Sequence, residues 1–192
     1  LVGLPYNLKF LWAPLIDRFN PLGLGRRRSW LVVSQCCLAV GIAILGIQDP
    51  LEGVWKVAVA ACLVAFFSAT QDVVIDAYRR ETLADAEQGL GASMYTYGYR
   101  VGMLLASAGG LVLADIIGFR GVYLFMAALM LSMVVITILA PEPGDVKDPP
   151  RNLRMAFLGP FFEFFNRHDV SWSALFVLAF ILLYKLGDNL AS

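Results

Sequence analysis

Six ionisable residues lie inside stretches of the chain that are otherwise apolar. Three are cations and three are anions: Lys9, Arg100 and Lys185, with Asp72, Asp76 and Asp188. A charge inside a bilayer costs several kcal/mol unless it faces a polar cavity or an opposite charge. Such residues therefore mark substrate pathways and proton relays in membrane proteins. Because the two signs balance, a static network in which the six charges neutralise one another is the alternative.

Asp72 and Asp76 are four residues apart, so on a helix they share a face with Cβ atoms about 5–6 Å apart. Two carboxylates this close in a poorly hydrated place raise each other's affinity for a proton. The pair therefore predicts proton coupling. The alternative, preferred for Asp76 but not for Asp72, is a static ion pair with Arg79 or Arg80 at the membrane surface.

Arg100 stands between Gly98 and Gly102, two small residues that allow close helix packing. If its helix begins near Gly89, Arg100 lies about 16 Å along it, close to the middle of a bilayer. It must then face a polar cavity or a partner. We predict that Arg100 binds substrate. A structural pair with Asp72 is the alternative.

The other embedded polar residues extend this prediction. Lys185 and Asp188 are one helical turn apart at the end of an apolar run, and Lys9 precedes Asp17 by about two turns. The predicted substrate-binding residues are Arg100, Lys185, Lys9, Gln71 and Asp188. His168 is the only histidine, so a His-based triad or metal cluster has too few parts. We therefore expect no catalytic residue, metal or cofactor, and no enzyme.

A cluster of opposite charges follows the first apolar stretch. Asp17 and Arg18 end that stretch, and Arg26, Arg27 and Arg28 follow a Pro- and Gly-containing insertion. An aspartate at a helix end beside several arginines can exchange partners between two helix arrangements, so we predict that these five residues form a conformational latch. The alternative is that the arginines only keep the loop on the cytoplasmic side.

Composition explains which elements position these residues. Hydrophobic residues make up 59% of the 192 residues and charged residues 16%, whereas soluble domains are about half apolar and a quarter charged. The apolar residues form runs of bilayer-crossing length, which favours a membrane protein over a soluble one. The formal charge of zero offers no basic field for nucleic acid. We predict an all-α polytopic membrane helix bundle with segments near 1–17, 30–48, 54–79, 89–113, 121–140 and 172–190.

Basic residues in loops predict the orientation, because positive charge stays on the cytoplasmic side. Ten basic residues fall in one alternate set of loops, and only Lys56 and Arg120 fall in the other. The loops predicted to be cytoplasmic are 18–29, 80–88 and 141–171. The loops predicted to face the opposite side are 49–53 and 114–120.

Three regions follow from this pattern. Residues 1–140 form an N-terminal bundle, 141–171 a cytoplasmic linker, and 172–192 the first membrane helix of a second bundle. Within the linker, 152–166 carries aromatic and leucine residues at helical spacing with arginines around them. It is predicted as an amphipathic helix that lies on the leaflet or packs on protein. Both chain ends are read as cut.

Several strings resemble one transporter family. The loop Ala13–Arg28 is similar to the G-x-L-x-D-R-x-G-R-R signature of the major facilitator superfamily, with Ala13 in place of the first glycine and Asn20–Gly25 inserted. The chain also resembles the muropeptide permease (AmpG) family from the second membrane helix to the seventh. The strings that carry this resemblance are Lys9–Pro14, Gly25–Trp30, Gln71–Ala77, Gly98–Leu104 and Tyr184–Asp188.

The resemblance implies an incomplete major facilitator fold, without its first helix and most of its second half, in the inner membrane of a Gram-negative bacterium. It also implies proton-driven import of anhydro-muropeptides from periplasm to cytoplasm for peptidoglycan recycling, which feeds β-lactamase induction. With the residues above, it predicts alternating access by a monomer whose partners are this solute, protons and the lipid bilayer. The alternatives are another bulky anionic solute such as an acyl-CoA, and a non-transporting membrane sensor.

Overall fold

The computed structural model describes residues 3–48 and 53–144, together with Phe176, Ala179, Phe180 and Leu183. No strand occurs among these residues, and the predicted all-helical membrane fold is confirmed. The chain divides into two compact units, Leu1–Val146 and Lys147–Ser192. The first unit contains the helices α1 (Leu4–Leu8), α2 (Ala13–Arg18), α3 (Arg26–Ile47), α4 (Val54–Thr82), α5 (Gln88–Leu104) and α6 (Gly110–Leu139).

The four described residues of the second unit are helical. Phe176, Phe180 and Leu183 are exposed and recur at helical spacing, inside the segment predicted near 172–190. The linker helix predicted at 152–166 lies outside the described residues. Lys185 and Asp188 lie outside them as well.

The first predicted helix is not continuous. Where the sequence indicates a helix near 1–17, the chain forms α1, a 3₁₀ turn at Lys9–Leu11, and α2. Pro14 explains the break, because it falls in the first turn of α2 and its ring has no N–H to continue a preceding helix. The expectation of one unbroken helix is therefore wrong, and Lys9 lies in the turn between the two pieces.

The second membrane helix begins earlier than predicted. Arg26, Arg27 and Arg28 form the first turn of α3, whereas the sequence places them in a loop over 18–29. Cations in a first turn oppose the helix dipole. The carboxylate of Glu142, three residues after α6, compensates for this by accepting the backbone N–H groups of Arg27 and Arg28.

A single residue reverses the chain in the last helical stretch. The sequence predicts a loop over 114–120, but the chain is helical there except at Gly118, which has φ 73° and ψ 162°. The residues before Gly118 fold back on those after it, since a Cβ on Gly110 would lie 3.2 Å from the terminal methyl of Met126. A π-helical turn at Leu105–Gly109 joins α5 to this hairpin.

α3 packs against both α4 and α6. Two glycines permit the close approach. A Cβ on Gly41 would lie 2.8 Å from a methyl of Val64 in α4, and one on Gly46 would lie 2.5 Å from the Cβ of Tyr123 in α6. The most buried apolar cluster, Ile16, Leu31 and Val74, joins α2, α3 and α4.

Three helical stretches of the described part are long and apolar enough to cross a membrane: Arg26–Ile47, Val54–Thr82 and Asp85–Leu139. The third has 55 residues, far more than the roughly 20 that one crossing needs. With its reversal at Gly118, it supplies two crossings. Most large apolar side chains of these helices are exposed, as a bilayer solvent allows.

Candidate functional site

A polar group surrounds Asp72 on α4. The Tyr95 hydroxyl of α5 donates to Asp72 Oδ1 at 3.5 Å. Lys9 and Asp76 lie close enough for their charges to act on the Asp72 carboxylate. The 3₁₀ turn, α4 and α5 thus bring one cation, two acids and one hydroxyl together. We call Lys9, Gln71, Asp72, Asp76, Arg79 and Tyr95 the Asp72 group.

Arg79 links the two sides of this group. Its guanidinium forms an ion pair with Asp76 Oδ1 at 3.5 Å and lies over the ring of Tyr95 at 5.6 Å from the centroid. This pair is the static alternative considered for Asp76. Asp72 has no ion pair among the described residues, and its only hydrogen bond there is the one from Tyr95.

Gln71 precedes Asp72 and is half-buried. Its Oε1 atom is buried and has no hydrogen-bond partner among the described residues. Burying an acceptor without a partner costs free energy. The Asp72 group therefore offers an acceptor for a donor supplied by another molecule or by another part of the protein.

Arg100 does not join the Asp72 group. It lies on α5 with no ion pair or hydrogen bond to any described residue, so the alternative of an Arg100–Asp72 pair is not what the structure contains. Its side chain lines an open depression of about 440 Å³ together with Ser93, Thr96 and Tyr97. A cation without a partner among the described residues, beside three hydroxyl-bearing side chains, suits an anionic solute with hydrogen-bonding groups.

A second set of charges gathers where α2, α3 and α4 meet. Arg27 is only 4% exposed and donates from Nη1 to Asp17 Oδ1 at 2.7 Å and from Nε to Glu81 Oε2 at 3.0 Å. Arg26 donates to Glu81 Oε1 at 3.0 Å. One buried guanidinium thus ties carboxylates of α2 and α4 to α3.

Glu142 brings the end of α6 to the same place. Its carboxylate accepts the backbone N–H groups of Arg27 and Arg28 at 2.7 and 3.0 Å, which provides an anion at the N-terminus of α3. Arg28 in turn donates to the carbonyl oxygens of Ile138 and Ala140. We call Asp17, Arg26, Arg27, Arg28, Glu81 and Glu142 the end cluster.

Four of the five predicted latch residues are therefore in one place, and Arg18 is not. Arg18 is exposed, and its side chain forms no ion pair or hydrogen bond with the described residues. Among those residues no group of three or more histidine, cysteine or acidic side chains is placed to hold a metal ion.

Glu81, Glu142 and Tyr95 are partners that sequence reasoning did not assign. Glu81 is 54 residues from Arg27, and Glu142 is 115 residues from it. A spacing rule on one helix cannot find such contacts. The signal was present only as charge balance, because three consecutive arginines at a helix N-terminus require acids from other helices.

Comparison with known proteins identifies the kind of chain. A family model described as the Major Facilitator Superfamily matches residues 8–186. The anhydromuropeptide permease of Escherichia coli is 43% identical over 192 residues, which is 100% of this chain and 38% of that protein. No solved structure matches.

Two further relatives are similar to nearly the whole chain. An uncharacterised protein of Haemophilus influenzae is 46% identical over 193 residues, covering 100% of this chain and 45% of that protein. A putative transporter AmpG 3 of Rickettsia prowazekii is 33% identical over 202 residues, covering 99% of this chain and 48% of that protein. The chain thus spans less than half the length of these curated relatives.

Proposed function

Because this chain belongs to the major facilitator superfamily, we propose that the protein containing it imports anhydro-muropeptides from periplasm to cytoplasm, coupled to protons, by alternating access. The observation that carries the proposal is the 43% identity to the E. coli permease over every residue of the chain. Apolar helices make it a multi-pass membrane protein. Its membrane is then the bacterial inner membrane, and it acts as a monomeric transporter rather than an enzyme.

Substrate recognition is assigned to Arg100 and to the Asp72 group. Muropeptides carry carboxylates and many hydroxyls. Arg100 has no ion pair among the described residues and lies in an open depression with Ser93 and Thr96, which supports a role in binding a substrate carboxylate. Lys9 and the Gln71 oxygen, which has no hydrogen-bond partner in the described part of the chain, supply further polar contacts. Lys185 and Asp188, which lie outside the described residues, stay proposed as substrate-binding residues.

Proton coupling is assigned to Asp72. It has no ion pair in the described residues and is touched by one hydroxyl, that of Tyr95, so its protonation is not fixed by a bound cation. Asp76 is held by Arg79. Of the two acids proposed for coupling, Asp72 is therefore the one that carries the exchangeable proton, and Asp76 keeps Arg79 in place.

The end cluster is proposed as the latch. Its ion pairs and hydrogen bonds join α3 to α2, α4 and the end of α6, so any change in the relative positions of these helices must break or exchange them. Asp17, Arg26, Arg27 and Arg28 act there with Glu81 and Glu142. Arg18 is omitted because it contacts none of them.

Uptake by the full-length protein in proteoliposomes tests the proposal. Labelled anhydro-muropeptide should accumulate when a proton gradient is imposed and should stop accumulating when an uncoupler is added. An acyl-CoA should not compete. If acyl-CoA competes and muropeptide is not taken up, an acyl-CoA is the substrate and not a muropeptide. Saturable binding of muropeptide without any uptake would favour a sensor.

A further inference from the structure

An apolar cavity of about 210 Å³ lies between α2, α3 and α4. Aromatic and aliphatic side chains make up most of its wall: Trp12, Leu15, Trp30, Val33, Phe66 and Phe67. Leu15 and Phe66 are exposed and form its rim. The cavity is separate from the Arg100 depression and shares no residue with the Asp72 group or the end cluster.

The polar atoms around this cavity are already satisfied. Ser34 donates to the Trp30 carbonyl at 2.8 Å and Thr70 to the Phe66 carbonyl at 2.8 Å. The Trp12 indole N–H donates to Thr70 Oγ1 at 3.1 Å, and that of Trp30 donates to the Phe19 carbonyl at 2.7 Å. The wall therefore offers a ligand no hydrogen bond, and its occupant must be apolar. A cavity of about 150 Å³ binds benzene, so this one has room for several methylenes.

A cation lies one helical turn beyond the cavity wall, and its side chain has no partner among the described residues. Arg18 is three residues after Leu15 on α2, so the two side chains are neighbours on one helix face. Arg18 is exposed. Phe19, Leu22 and Leu24 follow it, and all three are exposed.

The loop that carries these exposed side chains is held in place. Asn20 Oδ1 accepts from the Gly23 N–H at 3.0 Å and from the Ser29 hydroxyl at 2.6 Å. The Trp30 indole ties Phe19 to α3. A fixed loop with apolar side chains outward, an indole and a cation is the composition found where a protein meets the membrane interface.

We propose that this cavity binds one acyl chain of an anionic phospholipid, whose phosphate pairs with Arg18. The charge of Arg18 and the apolar wall match the two ends of that ligand. The loop 18–29 is predicted to be cytoplasmic, and the cytoplasmic leaflet is where anionic lipids attract basic residues.

Lipid retention by the full-length protein tests this site. Purified protein is equilibrated in mixed micelles with phosphatidylglycerol or phosphatidylcholine of matched acyl chains, and bound lipid is counted by native mass spectrometry. One phosphatidylglycerol should be retained in preference to phosphatidylcholine. Arg18→Ala should reduce that preference about five-fold. Arg80→Ala, which removes another exposed arginine paired with Asp85, should leave it unchanged.

A filling substitution tests the cavity itself. Val33→Trp should reduce retention of both lipids, whereas Val40→Trp, at an exposed position of the same helix, should not. Equal retention by Val33→Trp and Val40→Trp would overturn the cavity as the acyl site. A wild-type protein that retains no lipid would also overturn the proposal, because another helix of the full protein then covers the cavity. Each result is independent of muropeptide uptake.

Discussion

Arg100 is a cation inside an apolar helix that finds no partner in the described part of the chain. If its partner is a substrate carboxylate, Arg100→Ala should raise KM for muropeptide uptake roughly ten-fold, the effect of losing one hydrogen bond to a charged group. The kcat should change little, because the contact is made in the ground state as well. Initial rates of uptake over a range of solute concentrations measure both constants.

Arg120 is the matched control for Arg100. It is also an exposed arginine, but it follows the Gly118 reversal at a helix end. Arg120→Ala should leave KM unchanged. A normal KM for Arg100→Ala would show that Arg100 does not bind substrate. Its guanidinium would then contact another part of the full-length protein.

Asp72 and Asp76 differ in their partners, and this difference predicts different mutant behaviour. Asn in place of Asp72 cannot bind and release a proton, so Asp72→Asn should abolish accumulation driven by a proton gradient. Exchange of labelled for unlabelled solute at equal concentrations should continue, because it needs no net proton movement. The two assays on the same proteoliposomes separate coupling from binding.

Asp76→Asn serves as the comparison for Asp72→Asn. Asp76 pairs with Arg79 at 3.5 Å, so we expect its loss to weaken helix-end packing while accumulation persists. If Asp76→Asn abolishes accumulation and Asp72→Asn does not, the exchangeable proton belongs to Asp76 and the assignment is reversed.

At the scale of elements, the contact between α3 and α6 depends on Gly46. A Cβ there would lie 2.5 Å from the Cβ of Tyr123 and 3.5 Å from the carbonyl oxygen of Arg120. The Tyr123 Cβ and the Arg120 carbonyl oxygen are fixed to the backbone of α6 and cannot move unless the helix moves. Gly46→Ala should therefore destabilise the protein by about 1–3 kcal/mol. Thermal unfolding of the full-length protein in detergent measures the change.

Gly102 provides the matched substitution for Gly46. It lies in α5, and a Cβ there would meet nothing within 4 Å. Gly102→Ala should therefore be neutral or stabilising by up to about 1 kcal/mol, since alanine favours helix over glycine. Equal losses from both substitutions would mean that the α3–α6 contact does not set stability.

The sequence predicts the helices well where the apolar run itself decides the structure. The segments near 30–48 and 54–79 reappear as α3 and α4, with no end displaced by more than four residues. The prediction from sequence fails where a single residue interrupts the helix within an apolar run. Pro14 breaks the first helix, and Gly118 alone makes the reversal that the sequence predicts as a seven-residue loop over 114–120. Hydropathy averages over such residues, whereas backbone geometry depends on them individually.

The site is less predictable than the fold because its contacts join distant helices. Asp72 and Asp76 are identifiable from spacing on one helix. Tyr95, which reaches Asp72, is 23 residues away, and Glu142 is 114 residues from the Arg28 N–H that it accepts. The contact between Glu142 and Arg28 forms only because α3 packs between α4 and α6. Charge balance predicts that partners exist but not which residues they are.

For the whole molecule, the ends of the helices sort by charge. The Arg80–Asp85 pair and every member of the end cluster except Asp17 fall within the segments predicted to be cytoplasmic loops. In a full-length protein with its native cysteines replaced, Ala84→Cys should react with a membrane-impermeant maleimide in inverted vesicles only. Arg120→Cys should react in intact cells only. The opposite pattern for both would invert the topology and the direction of import.

The end cluster is the feature of the whole bundle that ties four helices together, and Glu81 is its most connected acid. Glu81 binds both Arg26 and Arg27, and the Arg27 side chain is only 5% exposed. Glu81→Gln should therefore cost about 2–3 kcal/mol of stability, because a buried guanidinium loses one of its two carboxylates. It should also change the maximal uptake rate more than KM, since a latch alters helix rearrangement and not substrate contact.

Asp85→Asn is the control for Glu81→Gln. Asp85 pairs with Arg80 on the surface, at side-chain exposures of 92% for Asp85 and 67% for Arg80, so its loss should cost less than about 1 kcal/mol. Thermal unfolding and uptake kinetics on the same preparations decide the matter. A Glu81→Gln protein with lowered stability but unchanged uptake would make the cluster a static brace and not a latch.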